Sequence, residues 1–257
     1  MRINRPIKLL ALSLFIIFFG YNGVQQYLTV FFSEKGIFYV GFYSLIIMYV
    51  LLSLFSPVAG AFVSNYGPKK AMTLASLFYG LFILALLPGS LLLVYTGSAL
   101  LGIAAAFLWN GQNIYLIKAS AEGTSGRSAG MFMSVLSLSA VFGIFTVWYL
   151  QQYFSLHTIF LLFSMLPFIG FFFLLGLPSV TTQYVPNKFK IMRRTLTSPT
   201  ALRFSLLWFG LAFISGIVIG FLPIDIKNIF GIKWVGPLSM IFYIMPVLFS
   251  YISGKIS

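Results

Sequence analysis

The charged residues of this chain are spaced at intervals that match the thickness of a lipid bilayer, which constrains the fold more than any other feature. Six stretches contain no Asp, Glu, Lys or Arg; they lie between Lys8 and Glu34, Lys35 and Lys69, Lys70 and Lys118, Arg127 and Lys188, Arg203 and Asp225, and Lys233 and Lys255. A helix needs roughly 20 apolar residues to cross about 30 Å of hydrocarbon. By length, these stretches hold one, one, two, two, one and one spans. The sequence therefore predicts an all-α membrane protein with eight transmembrane helices.

Composition excludes a soluble fold and several kinds of chemistry. The chain is 60% hydrophobic and 7% charged, with a mean hydropathy of +1.01, and no soluble domain of this size buries that much apolar surface. It has no cysteine, so disulfides, thiolate catalysis and Cys-ligated metals are excluded. No Asp or Glu falls within a predicted span, and the single histidine, His157, is expected in a short loop. We therefore expect no enzyme active site, no metal site and no cofactor.

The positive residues behind the net charge of +13 are distributed unequally between the two sides of the membrane, which indicates the orientation of the chain. If the N-terminus is cytoplasmic, thirteen of the sixteen Lys and Arg residues lie on the cytoplasmic side, and only Lys35, Lys227 and Lys233 lie outside. This is the positive-inside bias of short membrane loops. We expect an integral, multi-pass protein of the plasma membrane with a cytoplasmic N-terminus, partnered by the lipid bilayer and not by nucleic acid.

Turn signals within the uncharged stretches place the individual helices. The expected spans are residues 9–32, 40–63, 71–87, 91–117, 129–150, 158–177, 204–223 and 235–253. The first apolar run is too long for the hydrophobic core of a signal peptide, and no small-residue cleavage site follows it. We interpret it as a retained helix.

A short internal repeat divides the chain into units. Gly-Ile-Phe-Tyr-Val-Gly at 36–41 recurs as Gly-Ile-Lys-Trp-Val-Gly at 231–236, each time before an expected even-numbered helix. Such repeats are typical of transporters built from two parallel halves. We expect a six-helix transmembrane bundle at 1–178, a basic cytoplasmic linker at 179–202, and the first two helices of a truncated second bundle at 203–257. The linker either lies on an anionic membrane surface or is simply solvated.

The first helix carries one polar face. Asn22, Gln25, Gln26 and Thr29 follow the spacing i, i+3, i+4 and i+7, which places them on one side of a helix. In lipid an unpaired amide costs several kcal/mol, so this face must point into the bundle or into a wet cavity. Two interpretations remain open: hydrogen bonds between helices, and contact with a solute near the middle of the membrane.

The fourth helix carries a second polar patch, formed by Trp109, Asn110, Gln112, Asn113 and Tyr115. Trp109, Gln112 and Asn113 share a face by their spacing. A tryptophan alone is typical of a membrane interface, but its amide neighbours are not. Cavity lining and helix packing are both consistent with this pattern.

The fifth helix shows small residues at intervals typical of close helix packing: Gly126, Gly130, Ser134, Ser137 and Gly143. Small side chains allow two helix backbones to approach closely. We interpret this row as a packing seam, and in transporters such a seam often lies where two halves move against each other.

The loop between the second and third helices carries a recognisable motif. Its Gly60, Ser64, Gly67, Lys69 and Lys70 resemble the major facilitator superfamily signature Gly-x-x-x-Asp-x-x-Gly-x-(Arg/Lys)-(Arg/Lys), which implies a role in gating at the inner face. Ser64 occupies the position of the aspartate, so the carboxylate that latches the two halves in that superfamily is missing.

Four segments are similar to one branch of that superfamily, the uncoordinated-93-like membrane proteins. They are Gly-Tyr-Asn-Gly-Val-Gln-Gln at 20–26, Ser-Glu-Lys-Gly at 33–36, Leu-Trp-Asn-Gly-Gln-Asn-Ile-Tyr-Leu at 108–116, and 126–130 with Gly143. The resemblance implies a major-facilitator-type bundle of twelve helices, of which eight are present here. It implies either alternating-access transport of a small solute or ion, or regulation or escort of a partner membrane protein such as an ion channel or receptor. The absence of carboxylates from the spans and the short loops favour transport.

The predicted topology is tested by labelling single cysteines with a membrane-impermeant thiol reagent. Ser33→Cys and Asn187→Cys should react from opposite sides of the membrane, because the charge asymmetry places Ser33 outside and Asn187 in the cytoplasm. Equal labelling of both variants in intact cells would contradict this topology.

Overall fold

A computed structural model describes residues 4–120, 125–180 and 197–256, and these ranges are almost entirely helical. The helices are α1 (Arg5–Glu34), α2 (Tyr39–Tyr66), α3 (Pro68–Leu86), α4 (Leu91–Ala119), α5 (Ser125–Leu150), α6 (Leu156–Leu175), α7 (Pro199–Gly220), α8 (Leu222–Phe230) and α9 (Val235–Ile256). Within these ranges, eight helical segments are long and apolar enough to cross a membrane. The prediction of an all-α membrane protein with eight spans is confirmed.

The seventh span differs from its expected bounds of 204–223. The helix breaks at Phe221 and resumes as α8, so Pro223 lies in the first turn of a new helix. The expected end at residue 223 was wrong, since the apolar segment continues to Phe230. A helix tolerates proline in its first turn, where no backbone N–H is required. Residues 181–196, which hold most of the expected linker, lie outside the described residues.

Helix α1 occupies the centre of the bundle. It packs against α5 and α6 along its length, while α3 packs against α4 and α6, and α2 against α4. Helix α9 packs along α5 and joins the later helices to the first six. The polar face of α1 is therefore surrounded by other helices.

The two membrane faces are distinguished by the charges at the helix ends. We call one the basic face; the side chain of Asn4 there donates a hydrogen bond to the carbonyl oxygen of Ala119, at 3.0 Å. This bond joins the start of α1 to the end of α4, near Lys8 and Lys118. The other, called the opposite face, holds Lys35 and Lys227, and Lys227 Nζ donates to Ser33 Oγ at 3.2 Å.

Glycines at three crossings let helix backbones approach closely. Gly23 of α1 packs against Gly143 of α5, where an added Cβ on Gly23 would lie 2.9 Å from the Gly143 carbonyl oxygen. A Cβ on Gly41 of α2 would lie 2.9 Å from the Cα of Thr29, and one on Gly102 of α4 would collide with the carbonyl oxygen of Met48. Side chains at these positions would force the helices apart.

The two copies of the internal repeat also share their backbone conformation at the first glycine. Gly36 and Gly231 both have a positive φ, of 74° and 87°, a conformation that glycine adopts without steric cost. The later glycines of the two motifs, Gly41 and Gly236, both sit in tight helix contacts, Gly236 against Trp148. Each motif is thus a left-handed turn followed by a closely packed helix start.

The tight contact at Gly102 can be tested by adding one methyl group. Gly102→Ala should lower the free energy of unfolding by about 1–3 kcal/mol, because the new Cβ overpacks the α2–α4 crossing. Unfolding in mixed detergent–denaturant micelles measures this difference.

Gly216→Ala is the matched control, since a Cβ there has nothing within 4 Å. It should be neutral or stabilise by up to about 1 kcal/mol, the usual helix preference for alanine. Equal destabilisation by the two substitutions would show that the α2–α4 contact is not specifically tight.

Candidate functional site

Gln25 joins α1 to α2. Its side chain is 5% exposed, and its Nε2 donates a hydrogen bond to the hydroxyl of Tyr49 at 2.9 Å. Tyr49 is 40% exposed, so this contact lies at the edge of the helix packing. The arrangement presents an amide and a phenol together at that edge.

Gln26, the next residue, joins α1 to α9 and is fully buried. Its Nε2 donates to Ser239 Oγ at 3.0 Å, and its Oε1 accepts from the hydroxyl of Tyr243 at 3.3 Å. Three helices, α1, α2 and α9, therefore bring polar groups to one level of the bundle.

The other two members of the polar face have no hydrogen-bond partner for their side chains within the described ranges. Asn22 is half-buried, and its side-chain amide makes no hydrogen bond to a described residue. Thr29 is fully buried, and its Oγ1 has no partner; it lies under Gly41, where α1 and α2 cross closely. Asn22 is therefore partly accessible from outside the helix packing, and Thr29 is not.

Aromatic side chains form a wall beside these amides. The ring of Tyr21 packs edge-on against that of Tyr79, with centroids 4.9 Å apart, and its hydroxyl donates to Met48 Sδ at 2.9 Å. Trp109 of α4 packs against Phe18 of α1, with centroids 5.3 Å apart. The first and fourth helices thus meet through Trp109.

The amides of α4 lie at a different depth from those of α1. The Phe18–Trp109 contact sets the register of these helices, and Gln25 lies seven residues beyond it toward the opposite face. Gln112 lies three residues beyond it toward the basic face. With a rise of 1.5 Å per residue, Gln25 and Gln112 are about 15 Å apart along the membrane normal. The structure does not bring them into one hydrogen-bonded cluster.

Gln112 and Asn113 pair with each other near the basic face. Gln112 is fully buried and its Nε2 donates to Asn113 Oδ1, while Asn113 itself is exposed. The Oε1 of Gln112 is buried without a partner in the described part of the chain. This pair offers one unpaired acceptor beside an exposed amide.

Asn110 and Tyr115 hold helices together. The Nδ2 of Asn110 donates to the Oγ and carbonyl oxygen of Ser56 on α2, at 2.9 and 3.2 Å, and to the Ala106 carbonyl oxygen at 2.8 Å. The hydroxyl of Tyr115 donates to the carbonyl oxygen of Pro178 at 2.9 Å. For these two residues the geometry supports packing rather than solute contact.

The glycine motif between α2 and α3 forms a turn of one residue. Gly67 has φ +92° and alone separates the two helices, which explains the glycine at this position. Ser64 donates to the Gly60 carbonyl oxygen of its own helix at 2.7 Å, so it does not replace the missing carboxylate as a link between helices. Lys69 and Lys70 lie in the first turn of α3 at the basic face.

The small residues of α5 face two different helices. Gly126 and Gly130 line a groove of about 370 Å³ between α5 and α9 near the basic face. Ser134 donates to the Val247 carbonyl oxygen of α9 at 3.2 Å, whereas Gly143 packs against Gly23 of α1. Ser137 lies between these contacts and is half-buried. The seam therefore joins α5 to α9 only in its first half.

Sequence reasoning missed Tyr49, Ser239 and Tyr243, the partners of the α1 amides. Tyrosine is typical of membrane interfaces, yet Tyr49 and Tyr243 stand several residues inside α2 and α9. The position of each tyrosine in the middle of an apolar helix was the signal that could have identified it. No sequence signal distinguished Ser239, because serine is common at all helix contacts in membranes.

The level of Gln25 and Gln26 carries no formal charge from the described residues. Every described Asp, Glu, Lys and Arg lies near one of the two membrane faces. The donors and acceptors at this level are amides and hydroxyls beside aromatic rings. Such a set binds neutral, hydrogen-bonding groups without the cost of burying a charge.

Comparison with known proteins finds a family and several relatives. Residues 35–228 match the family described as ion channel regulatory protein UNC-93. The UNC93-like protein MFSD11 of Xenopus laevis is 35% identical over 111 residues, 42% of this chain and 25% of that protein. UNC93-like protein 3 of Arabidopsis thaliana is 33% identical over 113 residues, 44% of this chain and 23% of that protein. Each aligned stretch therefore covers about a quarter of a longer relative.

A solved structure shares the fold. The POT family transporter PepTSo, known from an in meso crystal structure, matches all of this chain with a TM-score of 0.60 and 14% identity. The match covers 55% of that transporter's chain. At this identity the likeness concerns the fold alone, and it identifies a bundle of the major facilitator type.

The packing role of Asn110 is tested by a double-mutant cycle with Ser56. Asn110→Ala and Ser56→Ala should show a coupling of about 0.6–2 kcal/mol in the free energy of unfolding, the range for hydrogen bonds between membrane helices. Strictly additive effects would mean that the bond between these side chains contributes nothing to stability.

Proposed function

The chain belongs to the family described as ion channel regulatory protein UNC-93, and we propose that it is part of a transporter that moves a small solute by alternating access. The observation that carries this proposal is the position of the α1 amides. They face Tyr49, Ser239 and Tyr243 inside the bundle, between the first six helices and α9. A polar face used to bind a partner protein in the membrane would instead point outward, away from the other helices.

The proposed solute contacts are Asn22, Gln25 and Tyr49. The amide of Asn22 makes no hydrogen bond to a described residue, and the Gln25–Tyr49 pair lies one helical turn away, where Tyr49 is 40% exposed. Trp109 contributes an aromatic wall on the side of the basic face. Gln112 and Asn113 lie about 15 Å nearer the basic face than Gln25, by helix register. They form a second contact on the path of the solute rather than part of the same site.

The orientation follows from the charges. We propose that the basic face is cytoplasmic, as the excess of Lys and Arg in its short loops predicts, and that the protein resides in the plasma membrane. The opposite face, with Lys35 and Lys227, is then the outer one.

Regulation of a partner membrane protein is the second candidate. The family description, which names ion channel regulation, favours it. In that case the protein would bind an ion channel or receptor through its lipid-facing surface, and the amides of α1 would serve only to hold helices together.

The two candidates differ in what happens when Tyr49 loses its hydroxyl. The full-length protein is screened against a panel of neutral polar solutes for ligand-induced thermal stabilisation, and a solute that stabilises it is used for uptake into proteoliposomes. Gln25→Leu and Tyr49→Phe should each weaken binding about tenfold, because a loss of about 1.4 kcal/mol of hydrogen bonding corresponds to that factor.

Tyr43→Phe is the matched control on the same helix. Tyr43 is 54% exposed and lies near the start of α2, at the opposite face. This substitution should leave both affinity and uptake unchanged. If Gln25→Leu and Tyr49→Phe lower thermal stability yet leave uptake unchanged, the amides are structural and the proposed site is wrong. If no solute is taken up and the variants alter the current of a co-expressed channel, the regulatory function is supported instead.

A further inference from the structure

We propose that Gln26 is the innermost contact of a gate that closes the solute site toward the opposite face. The inference rests on the proposed transport function and extends it, because it assigns the two adjacent amides of α1 to different tasks. Gln25 forms part of the solute site within the first six helices, whereas Gln26 fixes α9 against α1 and makes no contact with the solute.

Several independent contacts join the first six helices to α7–α9 at the opposite face. Lys227 Nζ donates to Ser33 Oγ at 3.2 Å, and Trp148 Nε1 donates to the Lys233 carbonyl oxygen at 2.7 Å. The rings of Phe42 and Phe221 lie 4.4 Å apart between centroids. These contacts come from α1, α5 and α2 respectively, so they close that end of the bundle on three sides.

The contacts toward the basic face come from a different helix. There α5 stays packed against α9, and Ser134 donates to the Val247 carbonyl oxygen at 3.2 Å, beside a shallow groove of about 370 Å³. The contacts that α1 and α2 make with α7–α9, named above, lie in the half of the bundle nearer the opposite face.

Gln26 lies at the inner limit of the closed region. It is seven residues before Ser33 on α1, which places it about 10 Å deeper in the membrane. Both of its polar groups are engaged by α9, Nε2 by Ser239 and Oε1 by Tyr243, and the side chain is fully buried. A solute therefore finds no free group on Gln26 while this contact is formed.

Opening toward the opposite face requires α9 to move away from α1. This movement exchanges both bonds of Gln26 to α9 for bonds to the water that enters, which is unfavourable by the net contribution of those two bonds. The bonds of Gln25 are unaffected, since Tyr49 belongs to α2, within the first six helices. The closed arrangement is therefore stabilised by Gln26 and not by Gln25.

The experiment measures access to the site and needs no solute. The chain has no cysteine, so Asn22→Cys introduces a single reporter, which is labelled in vesicles by an impermeant maleimide applied at the opposite face. Gln26→Leu should increase the labelling rate on the order of tenfold, since it removes both bonds to α9. Tyr243→Phe removes only one of them and should give a smaller increase.

Asn110→Ala is the matched control and should leave the rate at the wild-type value, because it removes hydrogen bonds that lie within the first six helices. Glu34→Cys, at the exposed end of α1, should label equally in every background and shows that the chain is inserted. An unchanged rate in both Gln26→Leu and Tyr243→Phe would overturn the proposal, as would an equal increase in Asn110→Ala. If Gln26→Leu does not insert, the labelling rate of Tyr243→Phe alone tests the proposal, and an unchanged rate in that variant overturns it. If the labelling rates change as expected but the full-length protein takes up no solute, the transport function is refuted while the role of Gln26 in the α1–α9 contact is supported.

Discussion

The hydrocarbon interior of a membrane offers no hydrogen-bond partner, so every polar group at that depth must be paired within the protein. For the backbone this requirement is met by helices, which account for nearly all described residues. For side chains it determines which helices meet. Gln25 finds its partner on α2, Gln26 on α9 and Asn110 on α2. The amides thus act as specific links in a bundle whose apolar surfaces would otherwise pack with little preference, because lipid is as apolar as they are.

Close packing at glycines is what brings these amides within reach. The Gly23–Gly143 crossing draws α5 against α1, and α5 in turn carries α9, so that Ser239 and Tyr243 reach Gln26. The Gly41–Thr29 contact draws α2 against the same part of α1, where Tyr49 reaches Gln25. Small residues and amides therefore cooperate on α1, and this explains why the central helix carries both.

Features that depend on neighbouring residues in the chain were predictable. The eight spans, the one-residue turn at Gly67 and the repeated glycine turns at 36 and 231 follow from local apolar length and from backbone freedom. The predicted end of the seventh span was wrong, because proline occurs both after the end of one helix and in the first turn of the next, as Pro223 does here. Whether the amides of α1 and α4 line a cavity stays a prediction, and the helix register places Gln25 and Gln112 on separate levels.

The sequence by itself determined that this protein is a multi-pass helical membrane protein with its charges at the two faces, because length, hydropathy and charge spacing are properties of contiguous residues. Only the tertiary structure decided which of two adjacent glutamines holds the first six helices together and which holds α9. Gln26 and Ser239 are 213 residues apart in the chain, and no local pattern relates them. Their pairing depends on how closely three helices cross, which is set by the combined shapes of surfaces that the chain brings together only when it folds.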